Sequence, residues 1–304
     1  MKKKISILGV FAVDMTFIAE KFPKIGETIL ANDFFLGPGG KGSNQAVASS
    51  RLGSEVNFLT ALGRDSYGEI GIDLWKKEKI DAHFEKYDIS TAVAFIYLNK
   101  TNAENAIIIN SGAAKKITSN FVKNKSHIIK NSFLFLTQFE QPVEAAFTAL
   151  KIAKKNRVIT ILNPAPAIKF DHEILKLCDY ITPNEKEAEA ITGIKIKCYE
   201  SAKSAIIKLQ SMGASNVIIT MGAKGAVLGQ DRNISIVNGF NFAPAIDTSG
   251  AGDCFNGALS FSLSKNQNPI QAVEFACKAS AISVTKKGTT NSMPNLDEII
   301  NASK

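Results

Sequence analysis

At 304 residues with 45% apolar content, the chain is long enough for one large α/β domain, or a domain with a smaller lobe. The net charge of +8 comes largely from lysines on helix-like faces, such as Lys76, Lys77 and Lys79 or Lys151, Lys154 and Lys155. No basic stripe interleaves with aromatics, so nucleic acid is not an expected partner. Cys178, Cys198, Cys254 and Cys277 are scattered, which excludes a Cys-x-x-Cys zinc site and favours reduced thiols in a cytoplasmic setting.

Met1-Lys2-Lys3-Lys4 before Ile5 to Val13 imitates a signal peptide, but the apolar run ends at Asp14 without a small-residue cleavage site. A buried first strand over Ile5–Val10 is the preferred reading, and no run is long enough to span a membrane. Thr28 to Leu36 alternates loosely between Pro23/Gly26 and a glycine cluster, which predicts antiparallel strands outside the main sheet. A helix over 42–51, a strand over 56–62 and an amphipathic helix over 68–79 follow. Ala92–Leu98 and Ala106–Ile109, separated by Asn99-Lys100-Thr101-Asn102, read as a hairpin of the same small lobe.

Beyond this point strands and helices alternate. Strands are expected at 133–137, 157–162, 180–182 and 216–221, with helices at 143–154, 184–192 and 201–212. An antiparallel pair (226–228, 234–237), two buried helices (252–264, 270–285) and a short helix near 296–300 complete the chain. This alternation predicts a mostly parallel sheet covered by helices on both faces. His83, His127 and His172 show no metal-ligand spacing and are expected on surfaces or loops.

Asp247-Thr248-Ser249-Gly250-Ala251-Gly252-Asp253 precedes an apolar helix. Small residues let backbone N–H groups converge at the positive end of that helix, which makes an anion site. Asp253, in the first turn, is placed to take a proton from a nucleophile attacking a phosphate. A capped helix after a glycine turn explains the stretch equally well. Gly37-Pro38-Gly39-Gly40-Lys41-Gly42 matches G-x-G-x-x-G but lies far from the first strand, so it fails as a dinucleotide fingerprint. It also fails as a Walker A loop, because Gly42 follows Lys41. It remains a turn where backbone approaches a ligand, with Lys41 and Asn44 as polar groups suited to a sugar. Asn163-Pro164-Ala165-Pro166 reads as a rigid loop. Asn184 and Glu187 form either a helix N-cap with its capping box or a pair facing a phosphate–Mg²⁺ unit. Thr220-Met221-Gly222-Ala223-Lys224-Gly225 is a turn at a strand end.

Three signatures together resemble the ribokinase-like sugar kinase family: Gly39 to Ala46; Asn163 to Pro166 with Pro183-Asn184-Glu185-x-Glu187; and Asp247 to Asp253 with Phe255. They occur in family order and spacing, and the similarity spans about residues 4 to 300. Lys287-Gly288-x-x-x-Ser292-x-Pro294 is similar too. The resemblance implies a Rossmann-like, mostly parallel sheet within a single kinase domain, with a β lid over the sugar formed by about 12–38 and 91–110. It implies homodimers joined through the lid, and transfer of the ATP γ-phosphate to a sugar hydroxyl, with the 5-hydroxyl of ribose as first choice.

By the same resemblance Asp253 is the catalytic base, and Gly250, Ala251 and Gly252 form the anion hole. Ala12, Asp14, Gly40, Lys41, Asn44 and Glu140 correspond to sugar-binding positions. Asn184, Thr220, Gly222, Lys224, Gly225, Gly252 and Cys277 correspond to nucleotide positions, and Glu187 to the Mg²⁺ shell through water. Asp247, Ser249, Ser283, Lys286, Gly288 and Ser292 correspond to a K⁺ site built partly of backbone carbonyls.

Ala12 departs from the family, which usually carries Asn there, and alanine cannot hydrogen-bond a sugar hydroxyl. Members acting on 2-deoxyribose are similar in this respect. Cys277 stands where many members carry His or Asn near the adenine. A 2-deoxyribose, nucleoside or hexose kinase therefore stays open, as does a sugar-binding protein without activity. The misplaced glycine motif argues against a dehydrogenase.

Overall fold

The computed structural model describes residues 3–101, 104–231 and 233–302. Met1 and Lys2 of the basic start, and Asn102 of the expected hairpin turn, lie outside them. The chain opens with β1 (Ile5–Leu8) and leaves the main sheet at once for β2 (Ala12–Ala19) and β3 (Asp33–Gly39). Helix α1 (Lys41–Arg51) returns it to β4 (Val56–Gly63), α2 (Ser66–Lys77) and β5 (Asp81–Tyr87). A second excursion makes β6 (Ala92–Asn99) and β7 (Asn105–Asn110).

Two short helices, α3 (Ser119–Asn124) and α4 (Ser126–Lys130), lead to β8 (Leu134–Thr137), α5 (Val143–Lys155) and β9 (Ile159–Leu162). Then come β10 (Tyr180–Ile181), α6 (Glu185–Thr192), α7 (Tyr199–Ser211) and β11 (Asn216–Thr220). The hairpin β12 (Gly225–Gln230) and β13 (Asn233–Asn238) precedes α8 (Ala251–Ser264), α9 (Pro269–Ser283) and α10 (Leu296–Ala302).

The main sheet runs β13-β12-β11-β10-β9-β8-β1-β4-β5. Its seven strands from β11 to β5 are parallel, and β12 alone runs against them, pairing antiparallel with both β11 and β13. Because side chains alternate along a strand, each strand feeds two cores. Leu8, Phe135, Val217 and Ile219 pack with α3, α5 and α7 on one face. Ile5, Ile7, Leu134, Leu136 and Ile218 pack with α1, α2, α8 and α9 on the other. This is the double-faced α/β architecture that the alternating pattern predicts.

The second sheet runs β3-β2-β6-β7. It is mixed rather than antiparallel throughout. β2 pairs β3, and β6 pairs β7, in antiparallel fashion, but β2 and β6 are parallel. The chain visits the main sheet between the two excursions, so β6 re-enters the small sheet in the direction of β2.

Strand β5 and the helical stretch 112–130 have no counterpart in the sequence reading. β5 is the edge of the main sheet, and its Asp-Ala-His-Phe-Glu-Lys-Tyr sequence is charged and only partly buried. Edge strands carry such charges, so the apolar signal of a strand is absent there. His83 lies in this strand, 3.4 Å from Asp81, rather than in a loop. All four cysteines are free, and no helix among the described residues is long and apolar enough to cross a membrane.

Candidate active site

Two helix N-termini meet beyond the ends of the parallel strands, where open α/β sheets place ligands. α1 begins at Lys41 behind Gly40, which adopts φ 85°. A side chain at Gly40 would strike Val10 O at 2.6 Å, and one at Gly42 would strike Gly9 Cα at 2.6 Å. The glycine turn is therefore a close crossing of the α1 N-terminus over the end of β1, which no other residue permits.

α8 begins at Ala251 behind Gly250, which is left-handed at φ 76°. Ala251 N–H donates to Thr248 O at 3.3 Å. Gly252 N–H and Asp253 N–H have no acceptor among the described residues, as befits the first turn of a helix. Nothing lies within 4 Å of where a Gly252 side chain would be, so the start of α8 is open on that side.

Asp253 is buried, and α1 grips both of its oxygens. Asn44 Nδ2 donates to Oδ2 at 2.9 Å and Gln45 Nε2 to Oδ1 at 3.0 Å. Gln45 Oε1 accepts from Gln138, and Gln45 Nε2 also lies 3.2 Å from Asn163 Oδ1. Asn163 in turn donates to Thr182 O at 3.2 Å, so this loop supplies a bridging side chain and is more than a rigid turn.

Burial raises the carboxyl of Asp253, against Lys41 and the two amide donors, which favour its charge. Burial likewise raises Asp14 to about 6, despite Thr289, and Glu140 to about 7, despite Lys41. Lys41 is raised, chiefly by Asp253 and against burial, with Glu140, Glu187 and Asp14 adding to the pull. One ammonium thus serves four carboxylates. Glu140 also accepts Lys41 N–H at 2.8 Å, which docks the loop after β8 on the α1 N-terminus.

A cavity of about 160 Å³ lies between these elements. Lys41, Asn184, Glu187, Thr220, Gly250, Ala251, Gly252 and Asp253 line it. Asn163, Thr182, Thr248 and Asn256, not assigned roles from sequence, line it as well. Asn256 stands three residues after Asp253 on α8, and its Oδ1 accepts from Thr182 at 2.6 Å. Asn184 and Glu187 form the full capping box of α6, each side chain bonded to the other's N–H at 2.9 Å.

Other predicted positions fall outside the cavity wall. Asp14 projects from β2, on the same sheet face as Ala12, with Thr289 Oγ1 3.4 Å from its Oδ2. Gly222 adopts φ 53° with open space around it, whereas Gly225 needs no ligand to explain it, since a side chain there would meet Val237 O at 2.1 Å. Lys224 Nζ reaches Lys197 O at 3.4 Å, and Cys277 is buried on α9.

Asp247 holds two segments together. Its Oδ1 accepts Ser249 N–H and its Oδ2 accepts Gly288 N–H, both at 2.9 Å. Ser283 and Ser292 donate to the carbonyls of Ser280 and Thr289, each at 2.8 Å, and Lys286 pairs with Glu298.

A model of the pfkB carbohydrate kinases matches residues 2–296. The chain belongs to the pfkB family of carbohydrate kinases. It is therefore a phosphotransferase acting on a sugar hydroxyl. It is 38% identical to the ribokinase of Haemophilus influenzae, over 99% of this chain and 98% of that protein. It is 35% identical to a deoxyribokinase of Salmonella typhi, over 97% and 96%. Among solved structures, it is similar to Thermotoga maritima ribokinase (TM-score 0.91, 33% identity, 99% of each chain). It also resembles Arabidopsis thaliana ribokinase complexed with ribose and ATP (TM-score 0.94, 27% identity, 100% of this chain and 99% of that one).

Proposed function

We propose that this pfkB kinase phosphorylates the 5-hydroxyl of D-ribose with ATP, and that Asp253 is its general base. The observation carrying the reading is the placement of Asp253, with both oxygens fixed by α1 amides, beside the unpaired N–H groups that open α8. The similarity to ribokinases from several organisms supports ribose as the acceptor.

In this reading the sugar lies between the turn at 39–44 and the second sheet. Asp14, Lys41, Asn44 and Glu140 receive its hydroxyls, and the N–H groups of the 250–253 turn receive the γ-phosphate. Asp253 orients the 5-hydroxyl and accepts its proton as the new P–O bond forms, and ADP leaves in line. Lys41 and the α8 N-terminus stabilise charge growing on the transferred group. Asn184, Thr220, Gly222, Lys224, Gly225 and Cys277 lie along the nucleotide side.

Among the described residues no group of three or more His, Cys, Asp or Glu side chains is placed to hold a metal. Glu187, on the cavity wall, fits Mg²⁺ through water, since this cation keeps most of its waters and takes its other ligands from phosphates. When bound, Mg²⁺ neutralises phosphate charge. The turns braced by Asp247, with Ser249, Ser283, Lys286, Gly288 and Ser292, fit a monovalent cation such as K⁺ through backbone carbonyls.

The second sheet is read as a lid that closes over the sugar. Phe34, Phe35 and Leu36 on β3, and Ile107, Ile108 and Ile109 on β7, leave both of its edges apolar and exposed. A second copy of the chain is the occupant this reading assigns them. Free cysteines accord with a cytoplasmic enzyme.

One observation favours 2-deoxyribose as a second reading. Ala12 shares a sheet face with Asp14 but offers no polar group to a sugar 2-hydroxyl. ADP release with ribose, 2-deoxyribose, fructose and adenosine tests both readings. Turnover with neither pentose would overturn them.

A further inference from the structure

The loop between α9 and α10 packs against α1. Thr290 is only 1% exposed, and Arg51, at the far end of α1, fixes its backbone. Arg51 Nη1 donates to Thr290 O at 3.2 Å and to Met293 O at 2.8 Å. Glu78 holds the guanidinium from the other side at 2.7 and 3.1 Å. Asn44 and Arg51 are two helical turns apart and so share one face of α1. The loop lies along that face, anchored by Arg51 at one end and meeting Asn44 at the other.

There Thr290 Oγ1 comes within 2.6 Å of Asn44 Oδ1. The same hydroxyl lies 2.9 Å from Pro38 O, and Thr289 Oγ1 lies 3.2 Å from that carbonyl. Both of Thr290's neighbours are acceptors, and one hydroxyl has one proton to give. Asn44 Oδ1 is the nearer of the two, at 2.6 Å against 2.9 Å, and a hydroxyl gives its proton to the acceptor it approaches most closely, so the Thr290 proton goes to Asn44.

We propose that Thr290 is a positioning residue of the transfer reaction, its hydroxyl holding the Asn44 amide with Nδ2 turned toward Asp253. The inference rests on the reading of Asp253 as the base. Asn44 is buried, so its carbonyl needs a donor, and a buried acceptor left without one drives the amide to rotate. Rotation would turn Oδ1 toward the Asp253 carboxylate and replace an attraction by a repulsion. Thr290 therefore acts on a carboxylate that it does not itself touch.

The test is steady-state ADP release with ATP and ribose in Thr290→Val, Thr290→Ser, Thr290→Ala and Asn44→Ala. Thr290→Val lowers kcat by at least about tenfold and leaves the KM for ATP within about threefold. Serine and alanine both lack the methyl group and differ only in the hydroxyl. Thr290→Ser keeps kcat within about threefold and Thr290→Ala does not, a contrast that stands even where the valine variant fails to fold. In the Asn44→Ala background, Thr290→Val causes no further loss. A smaller fall in the alanine variant, equal damage from serine and alanine, or multiplying losses in the double variant each overturns the inference. Asp253→Asn is measured alongside. If it keeps turnover, the base assignment fails; if it is inactive while Thr290→Ala is normal, only the positioning role fails.

Discussion

Asn44 Nδ2 donates to Asp253 Oδ2 at 2.9 Å, across 209 residues of chain. This one bond joins the N-terminal turns of α1 and α8, so the Asp253 carboxylate is held by the same helix that presents Lys41 to it. Packing between these two helices therefore also sets the geometry of the candidate site.

That packing is tight enough to test. A side chain at Gly257 on α8 would meet Ala48 Cβ at 2.5 Å and Gln45 O at 2.8 Å on α1. Gly257→Ala should cost about 1–3 kcal/mol by overpacking and push Gln45 and Asn44 off Asp253. Denaturant melts and kcat should both fall. A destabilised variant with unchanged kcat would show that the helix contact does not set the site.

The pH dependence of stability follows from the raised carboxylates. Glu140 rises from 4.5 to about 7 in the folded protein, with Lys41, Asp253 and Asp14 facing it. The folded state therefore binds more protons than the unfolded state between these values, and stability contributed by this group is lost as pH rises through that window. Glu140→Gln removes the titration. Melting temperatures from pH 4.5 to 8 should show the native protein declining relative to Glu140→Gln, most of all up to pH 7. Parallel curves would contradict the assignment.

Much of this was legible in the sequence, for identifiable reasons. Regular alternation gave the parallel sheet, because strands buried on both faces are continuous apolar runs. The glycine turn and the Asp247–Asp253 stretch marked the two helix N-termini by composition. β5 was not legible, because an edge strand with Asp81, Glu85 and Lys86 carries no apolar run. The roles of Gln45 and Thr290 were not legible either. Their partners, the Asp253 carboxylate and the Asn44 amide, lie 208 and 246 residues away, and only folding brings them together. The capping box at Asn184 and Glu187 was readable, because it is a local device.

Sugar preference should depend on Ala12. If its missing amide relaxes discrimination at the 2-hydroxyl, the native enzyme favours ribose over 2-deoxyribose by less than about tenfold in kcat/KM. Ala12→Asn should raise that ratio. A native preference well above this, or a ratio unmoved by asparagine, would remove Ala12 from the specificity argument.

Monovalent cations should activate the enzyme. Asp247 ties the turn before α8 to Gly288, so a cation bound among the carbonyls of these segments would brace the anion hole. ADP release should rise with KCl and exceed that in NaCl at equal ionic strength. Asp247→Ala should lose the response. Indifference of the native enzyme to K⁺ would contradict the cation site.

In the proposed mechanism Asp253 takes the proton of the sugar hydroxyl as the phosphoryl group passes from ATP to a pentose. ADP release with saturating ATP and ribose, compared between the native protein and a folded Asp253→Asn variant, tests it most directly. Sugar-dependent turnover in the native protein, and a fall of about 10²–10⁴ in kcat in the variant, is the predicted result. Near-native turnover by Asp253→Asn would contradict it.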